Sequence, residues 1–265
     1  MKVIRFIDEN GDKYFGAEAQ GNQSTVYSGD LFGNLTKTNE TKTVKSYLAP
    51  FKPKAILCIG LNYRAHAMET GMRLPEYPIL FMKNVASVIG HQSNIIIPEC
   101  CKNPHQVDYE AELAVIIGKE AKNVKAENAF DYIFGYTIAN DVSARTWQKS
   151  GGGKQWVRGK SFDTFCPLGP TVVTADEGLD PDNLNISLIL NGEIMQESNT
   201  SDLIFSVSRL IEFLSEDTTL VPGTVILTGT PSGVGFTREP PVFLKKGDVI
   251  ETKIDKIGTL VNGVE

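Results

Sequence analysis

Short apolar segments bounded by turn residues recur along most of the chain, and they constrain its fold more than any other feature. The segments are rich in β-branched residues, and glycine or proline closes many of them. Such runs are typical of strands, and the sequence lacks the regular long helices that a βαβ array would place between them. The runs lie at residues 55–59, 79–81, 95–97, 113–117, 171–173, 186–190, 225–227 and 249–252. We predict an α+β fold that is mainly β, with few short helices.

The first fifty residues read as a small β domain of their own. The pair Asn10-Gly11 lies between two short apolar runs and can supply the positive φ angles of a hairpin turn. The polar stretch 34–45 is predicted to be an exposed connection. Prolines then mark the entry to a larger body. We therefore divide the chain into a small N-terminal β domain, 1–50, and a main domain, 53–265.

Three helices are predicted within the main domain. A short one is expected at Arg64–Glu69 and another near residues 126–131. The longest is expected to be capped by Ser201 and Asp202, because apolar residues follow at roughly helical spacing as far as Leu214.

Composition and charge exclude several classes of function. The chain has 265 residues, a formal net charge of −6 and a pI near 5.3, whereas a nucleic-acid surface needs clustered lysine and arginine. No apolar run approaches the ~20 residues of a membrane-spanning helix. The four cysteines lack CxxC spacing, which indicates reduced thiols. We expect a cytoplasmic protein that binds neither nucleic acid nor membrane, with a mitochondrial location as the alternative.

The most informative segment is an acidic strand that runs into an apolar one. Asp108, Glu110 and Glu112 alternate, so on a strand they share one face, and the following residues 113–117 are all apolar. Partly buried carboxylates repel one another, and a hard divalent cation such as Mg²⁺, Mn²⁺ or Ca²⁺ would remove that penalty. The alternative interpretation is a strand whose acidic face is simply hydrated.

A second set of polar residues follows at helical spacing. Asp141, Arg145 and Gln148 are four and three residues apart, so on a helix they share a face. A carboxylate, a fixed cation and an amide suit a metal ion together with an anionic, oxygen-rich ligand. The alternative is an ordinary intrahelical ion pair between the aspartate and the arginine.

Three further residues are candidates for chemistry. His66 and Glu69 lie three residues apart, so a carboxylate can orient an imidazole as a general base, although an exposed surface pair has the same pattern. Lys160 follows Gly159 but lacks the spacing of a phosphate-binding loop, and we interpret it as a desolvated lysine for a carboxylate or enolate. Thr230 lies in a glycine-rich segment that is either a ligand loop or a tight turn between strands.

Taken together, these segments resemble the fumarylacetoacetate hydrolase superfamily over residues 53–265. The resemblance implies a mixed β-roll or β-sandwich fold for a catalytic domain, a homodimer and one Mg²⁺ or Mn²⁺ per subunit, with Ca²⁺ also acceptable. The matching pieces occur in the expected order at residues 60–63 with His66, 108–113, 140–145, 159–163 and 227–231.

The resemblance also implies roles for single residues. Metal ligands would be Glu110, Glu112 and Asp141, with Asp108 outside the first coordination sphere. The water-activating pair would be His66 with Glu69. The residues implied to contact a small 2-oxo or 2,4-dioxo acid substrate are Lys160, which is also catalytic, Arg145, Gln148 and Thr230.

Three functions remain open from sequence. The leading hypothesis is metal-dependent C–C bond cleavage, by hydrolysis of an acylpyruvate or decarboxylation of oxaloacetate. The alternative is an enol–keto tautomerase or isomerase that uses the same metal site, and a further alternative is a metal-stabilised protein that binds a metabolite without catalysis. All three place one anionic metabolite beside the metal, and only the fate of the shared enolate separates the two enzymatic hypotheses.

Overall fold

The structure is a computed structural model that describes residues 1–149, 151 and 153–265. Its helices are α1 (Arg64–Glu69), α2 (Arg145–Gln148), α3 (Trp156–Lys160) and α4 (Val207–Ser215). Its strands are β1 (Lys2–Ile7), β2 (Lys13–Ala17), β3 (Gln23–Gly29), β4 (Leu35–Thr43), β5 (Ser46–Leu48), β6 (Ala55–Gly60), β7 (Ile79–Met82), β8 (Val88–Ile89), β9 (Val107–Asp108), β10 (Ala111–Ile117), β11 (Ile133–Asn140), β12 (Ser143–Ala144), β13 (Cys166–Pro167), β14 (Thr171–Thr174), β15 (Asn185–Leu190), β16 (Glu193–Asn199), β17 (Thr224–Leu227), β18 (Val249–Ile254) and β19 (Gly258–Gly263). The predicted α+β fold, mainly β with few short helices, is confirmed.

Two sheets and their packing define the core. The large sheet runs in the order β4-β3-β2-β1-β14-β11-β10-β17-β6-β7, with β5 paired to β1, and the smaller sheet runs β16-β15-β18-β19. Every residue of β10 is buried, because its two neighbouring strands flank it and the smaller sheet packs on the large one there. A strand covered on both faces reads as a continuous apolar run, and that is the pattern after Glu112.

The N-terminal strands continue the large sheet. Strand β1 pairs antiparallel with β2 and β5 and also with β14, where Ile4 lies opposite Thr171. The predicted exposed connection at 34–45 is wrong, because β4 occupies most of it as the edge strand of the sheet. The threonines and lysines of β4 do not show the apolar pattern that predicts a strand. One edge of β4 faces solvent, and charged side chains are common on such edges. The domain boundary at residue 50 stays a prediction.

The helix predictions have mixed outcomes. Helix α1 has the predicted bounds, and a 3₁₀ helix at Ala126–Tyr132 lies where a short helix was expected. Helix α4 begins later than predicted, at Val207, because Ser206 is the capping residue and accepts from the Arg209 N–H. The expected cap at 201–202 instead belongs to a 3₁₀ turn. Across the described ranges, no helix has the length and apolar character to span a membrane.

Candidate active site

Three buried carboxylates meet where two central strands end. Strands β10 and β11 are antiparallel, and Ala111 lies opposite Asn140, so the residues next to this pair come together. The backbone N–H of Asp141 donates to the carbonyl oxygen of Glu110 at 2.8 Å. Carboxylate oxygens of Glu110, Glu112 and Asp141 all lie within 4.8 Å of one another, and all three residues are buried. The structure thus brings together the three residues predicted as metal ligands.

Two buried lysines contact this carboxylate cluster. The Lys160 Nζ atom, at the end of α3, lies 2.7 Å from Glu110 Oε2 and 2.6 Å from Asp141 Oδ2. The Lys83 Nζ atom lies 2.5 Å from the other Asp141 oxygen and donates to the Val142 carbonyl at 3.1 Å. Lys83 was not among the predicted site residues. Its only signal is a lysine placed directly after an apolar strand, which by itself is more typical of a solvated strand end.

Arg145 pairs with Asp108 as well as with Glu110, whereas the sequence pattern placed it on one helix face with Asp141. Its Nε atom donates to Asp108 at 2.8 Å, and its Nη1 atom lies 2.7 Å from Glu110. Nη1 also donates to Gln148 at 3.0 Å. Its Nη2 atom has no hydrogen-bond partner among residues 1–149, 151 and 153–265. A buried guanidinium N–H without a partner is a place for a ligand oxygen.

Two expectations about shared faces are wrong. Asp108 does not share a strand face with the two glutamates, because the strand is interrupted between β9 and β10 and Asp108 turns toward the backbone N–H groups of Gly235 and Phe236. Asp141 does not share a helix with Arg145, because α2 begins only at Arg145. The side chains still converge, since β9 and β12 pair and hold both segments together.

The two glutamates of the cluster have opposite electrostatics. Burial raises the pKa of Glu110, but the charges of Lys160 and Arg145 outweigh burial and lower its pKa to about 2. Burial, and then the like charges of Asp141 and Glu110, hold the pKa of Glu112 well above its usual range. Glu112 accepts from the Gly229 N–H at 2.7 Å, and within the described ranges no basic side chain pairs with it. One carboxylate of the cluster therefore lacks a compensating charge.

The donor set fits a hard cation. In and beside the cluster, acidic side chains outnumber the buried basic side chains that contact them. A divalent cation next to Glu112 would reverse that imbalance and favour an anionic substrate. The acids are Asp108, Glu110, Glu112 and Asp141, and the bases are Lys83, Arg145 and Lys160.

His66 and Glu69 form a contact on α1, as their spacing predicts. The Nδ1 atom of His66 lies 2.9 Å from Glu69, which leaves the other ring nitrogen uncommitted by this pair. Glu69 also accepts from the Gly233 N–H at 2.8 Å and from the Thr237 hydroxyl at 2.9 Å. Burial raises the pKa of Glu69, but these hydrogen bonds, the one from His66 first, lower its net pKa below the usual value. The pair thus joins α1 to the loop after β17.

Asn62 fixes the start of α1 against the same loop. Its side-chain amide donates to the Thr228 carbonyl at 2.7 Å and to the Phe205 carbonyl at 3.1 Å. Its side-chain oxygen accepts from the Phe205 N–H at 2.9 Å. A buried amide that satisfies three backbone groups rigidifies the segments it joins. Asn62 belongs to residues 60–63, one of the segments that resemble the family, although its anchoring role was not predicted.

A cavity of about 120 Å³ opens onto the cluster. Apolar rings of Phe81, Trp156 and Phe236 contribute to its wall. Lys160 and His66 line the cavity, and they contact Asp141 and Glu69, respectively, which lie outside the lining. The predicted site residues that line it are His66, Glu110, Glu112, Arg145, Gln148, Lys160 and Thr230.

Comparison with known proteins agrees with this architecture. Residues 55–265 match the family described as fumarylacetoacetate (FAA) hydrolase C-terminal. The chain is 48% identical over 220 residues to oxaloacetate tautomerase FAHD2A, mitochondrial, of Bos taurus. The match covers 83% of this chain and 69% of that protein. It is 48% identical over 226 residues to a fumarylacetoacetate hydrolase domain-containing protein 2 homolog of Dictyostelium discoideum, covering 82% and 73%.

A solved structure is similar over the whole chain. The 5-carboxymethyl-2-hydroxymuconate delta-isomerase from Mycobacterium smegmatis superposes with a TM-score of 0.86 at 38% identity, covering 100% of this chain and 99% of that one. The N-terminal strands are thus part of the shared architecture, although the family description begins at residue 55.

The chain belongs to the fumarylacetoacetate hydrolase family of enzymes, as the resemblance predicted. Within that family, residues 162–170 and 240–248 resemble fumarylacetoacetate hydrolase domain-containing protein 2, and the D. discoideum relative is named as a homolog of that protein. The Bos taurus relative is named as a tautomerase and the M. smegmatis protein as an isomerase. They support the alternative function from sequence better than the leading hypothesis of C–C cleavage.

Proposed function

We propose that this chain is a divalent-metal-dependent enzyme that interconverts the enol and keto forms of a small 2-oxo dicarboxylate of the oxaloacetate type. The observation that carries the proposal is the buried carboxylate cluster with the Lys160 ammonium on two of its members. A site that combines a hard cation with an ammonium stabilises the negative charge of an enolate. The relatives named as a tautomerase and an isomerase support this reaction class.

Glu110, Glu112 and Asp141 would hold the cation, Mg²⁺ or Mn²⁺ with Ca²⁺ as a further candidate. The uncompensated, buried carboxylate of Glu112 supports this assignment, since hard cations prefer carboxylate oxygens. When bound, the cation supplies electrophilic polarisation of a carbonyl oxygen. Lys160 would contribute a second positive charge from the protein itself, and its contacts with two of the proposed ligands keep it beside them.

Arg145, Gln148 and Thr230 would bind the substrate's carboxylate and oxo groups. The Nη2 atom of Arg145 has no hydrogen-bond partner within the described ranges, while Nε and Nη1 are fixed by acids. A guanidinium held in this way is preorganised, so little conformational entropy is lost on binding. Gln148 is fixed by the same arginine, with its amide group beside the cavity.

His66 would move the proton. Its Nδ1 atom is occupied by Glu69, which orients the ring and leaves Nε2 to accept or donate a proton in the cavity. Tautomerisation needs only a proton moved between the enol oxygen and the carbon next to the carbonyl carbon, while the double bond shifts between C=C and C=O. The same pair could also activate water, and this observation keeps C–C hydrolysis of an acylpyruvate as the second candidate function.

The reaction class is tested by identifying products. Enol-oxaloacetate and acetylpyruvate are each incubated with the protein in Mg²⁺ or in excess EDTA, and the products are followed by UV absorbance and NMR. We expect Mg²⁺-dependent conversion of enol-oxaloacetate to keto-oxaloacetate. Pyruvate with CO₂ from the first substrate, or acetate with pyruvate from the second, would replace tautomerisation by cleavage. No acceleration with either substrate would favour the non-catalytic alternative.

Compartment and assembly complete the proposal. The Bos taurus relative is named as a mitochondrial protein, which favours the mitochondrial alternative over the cytoplasmic expectation. Imaging of the full-length protein with a C-terminal tag would test this. The homodimer implied by the family resemblance stays a prediction, and sedimentation equilibrium of the purified protein would test it.

A further inference from the structure

A β-bulge directs one buried glutamine toward the cavity wall. In the hairpin of β15 and β16, Leu188 lies opposite Gln196, but Ile189 lies opposite Ile194, so the register shifts and Met195 is the extra residue. Met195 and Gln196 are consequently both buried, whereas a regular strand covered on one face would bury only one of two successive residues. Bulges often re-aim a side chain beside an active site. Gln196 is 1% exposed and comes from the smaller sheet.

The hydrogen bonds of Gln196 fix the orientation of its amide group. Its Oε1 atom accepts from the Ala111 N–H at 2.9 Å, so this end must be the oxygen. Its Nε2 atom then donates to the Pro231 carbonyl at 2.9 Å and to the Thr230 hydroxyl at 2.8 Å. Both ends of the amide are assigned by groups that cannot act otherwise, because the Ala111 N–H only donates and the Pro231 carbonyl only accepts.

This arrangement determines what Thr230 can do. A threonine hydroxyl has one proton, and in Thr230 the oxygen already accepts from Gln196, so its own proton is directed elsewhere. Thr230 is 5% exposed and lines the cavity that the carboxylate cluster also lines. A hydroxyl that donates into the cavity attracts an anionic oxygen, whereas one that presents only lone pairs would repel it.

We propose that Gln196 is a positioning residue that holds the Thr230 hydroxyl as a hydrogen-bond donor toward a ligand carboxylate. The inference rests on the substrate-binding role of Thr230 in the proposed function. It adds a residue from the smaller sheet to a site whose other polar groups lie on the large sheet, on the short helices beside it and on the loop after β17. Gln196 itself touches no substrate and acts through Thr230.

Two substitutions at Gln196 separate positioning from simple structural support. In Gln196→Glu, one oxygen still accepts from the Ala111 N–H, but the other now accepts the Thr230 proton and withdraws it from the cavity. In Gln196→Met, the Ala111 N–H loses its acceptor, yet the Thr230 hydroxyl stays free to donate. A positioning role predicts that the glutamate variant binds anions more weakly than the methionine variant. A purely structural role predicts losses in both variants that do not depend on Thr230, because Gln196→Glu loses the hydrogen bond to the Pro231 carbonyl and Gln196→Met loses all three hydrogen bonds of the amide.

The probe is oxalate, and the readout is its dissociation constant from calorimetry in the presence of Mg²⁺. Loss of a hydrogen bond to a charged group predicts weaker oxalate binding by roughly tenfold or more in Gln196→Glu and in Thr230→Val. In the double variant, the glutamate change should add less than about twofold, because Thr230 no longer has a proton to orient. Glu197→Gln, an exposed neighbour on β16, is the matched control and should bind as the wild type does.

Each contrary result has a definite meaning. Weaker binding in Thr230→Val together with unchanged binding in Gln196→Glu would overturn the positioning role and leave the role of Thr230 standing. A full additional loss from Gln196→Glu in the Thr230→Val background would also overturn it. No effect in Thr230→Val, or no oxalate binding by the wild type, would overturn both. Absence of tautomerisation with the binding pattern intact would overturn only the proposed reaction.

Discussion

Two polar groups face one cavity, and they are built in different ways. The carboxylate cluster lies at the ends of central strands, is buried, and is locked by Lys160 and Lys83 at 2.5–2.7 Å. The His66–Glu69 pair lies on the short helix α1, with Glu69 partly exposed, and is tied down through hydrogen bonds to a loop. We propose that the cluster supplies a fixed electrostatic environment and that the pair, with His66 lining the same cavity, transfers the proton.

The difference between these groups suggests how one fold serves several reactions. An enolate must be stabilised in every branch, so the cluster is needed whichever product forms. In the proposed function, proton transfer or water activation depends on His66, so the pair should decide which product forms. Substitutions in the cluster should therefore abolish all activities, whereas substitutions in the pair should separate them.

The largest effect is expected from Glu110→Gln. Removing this charge leaves Lys160 and Arg145 with fewer partners and takes away a proposed cation ligand, so activity should fall by at least ~1,000-fold. Mn²⁺ binding measured by electron paramagnetic resonance should be lost in parallel. Glu120→Gln, an exposed residue just beyond β10, should change neither quantity. Full activity of Glu110→Gln in excess EDTA would contradict the proposal that activity needs a divalent cation.

A smaller but still general loss is expected from Lys160→Met. The Lys160 ammonium is the lysine charge on the cluster that also lines the cavity, and its removal should lower kcat by about 100-fold or more. Lys160→Arg should recover little, because a planar guanidinium does not occupy the space of a compact ammonium. Steady-state kinetics with enol-oxaloacetate provide the measurement. An unchanged kcat would show that charge stabilisation comes from elsewhere.

His66→Ala should separate the reactions. Any hydrolysis of acetylpyruvate should disappear, while enol-oxaloacetate conversion should fall by about 10- to 100-fold, a smaller loss than in the cluster variants. Mn²⁺ binding should stay at the wild-type level. Met68→Ala, on the same helix and 75% exposed, should behave as the wild type. Loss of Mn²⁺ binding in His66→Ala would contradict the separation between pair and cluster.

The smallest effect concerns Glu69 and pH. Its folded-state pKa is lowered from 4.5, so the stability it contributes is present above about pH 4.5 and is lost as pH falls through the folded-state pKa. Wild type should melt about 2 °C above Glu69→Gln at neutral pH, and this gap should close in acid. Thermal denaturation followed by circular dichroism from about pH 7 to pH 3 tests the prediction. A gap that widens in acid would contradict it.

Sequence reasoning reached Glu110 and Glu112 through local spacing, and the family resemblance added Asp141, which lies far along the chain from both. Glu110 and Glu112 stand two apart, and the bounds of α1 follow from local pattern alone. It missed Lys83 and Gln196, which enter the site through strand pairing and a bulge. It also misplaced Asp108, since the interruption between β9 and β10 depends on contacts with a loop more than 120 residues away. Tertiary pairing determines these positions, and no local pattern records it.

The most direct test of the account compares ketonisation of enol-oxaloacetate in four matched samples. These are the wild type in Mg²⁺, the wild type in EDTA, Glu110→Gln in Mg²⁺ and His66→Ala in Mg²⁺, each followed by the decay of enol absorbance. The account predicts fast decay in the first sample, the uncatalysed rate in the second and third, and a measurable enzymatic rate in the fourth. Wild-type decay that is equally fast in EDTA, or Glu110→Gln decay faster than that of His66→Ala, would contradict it.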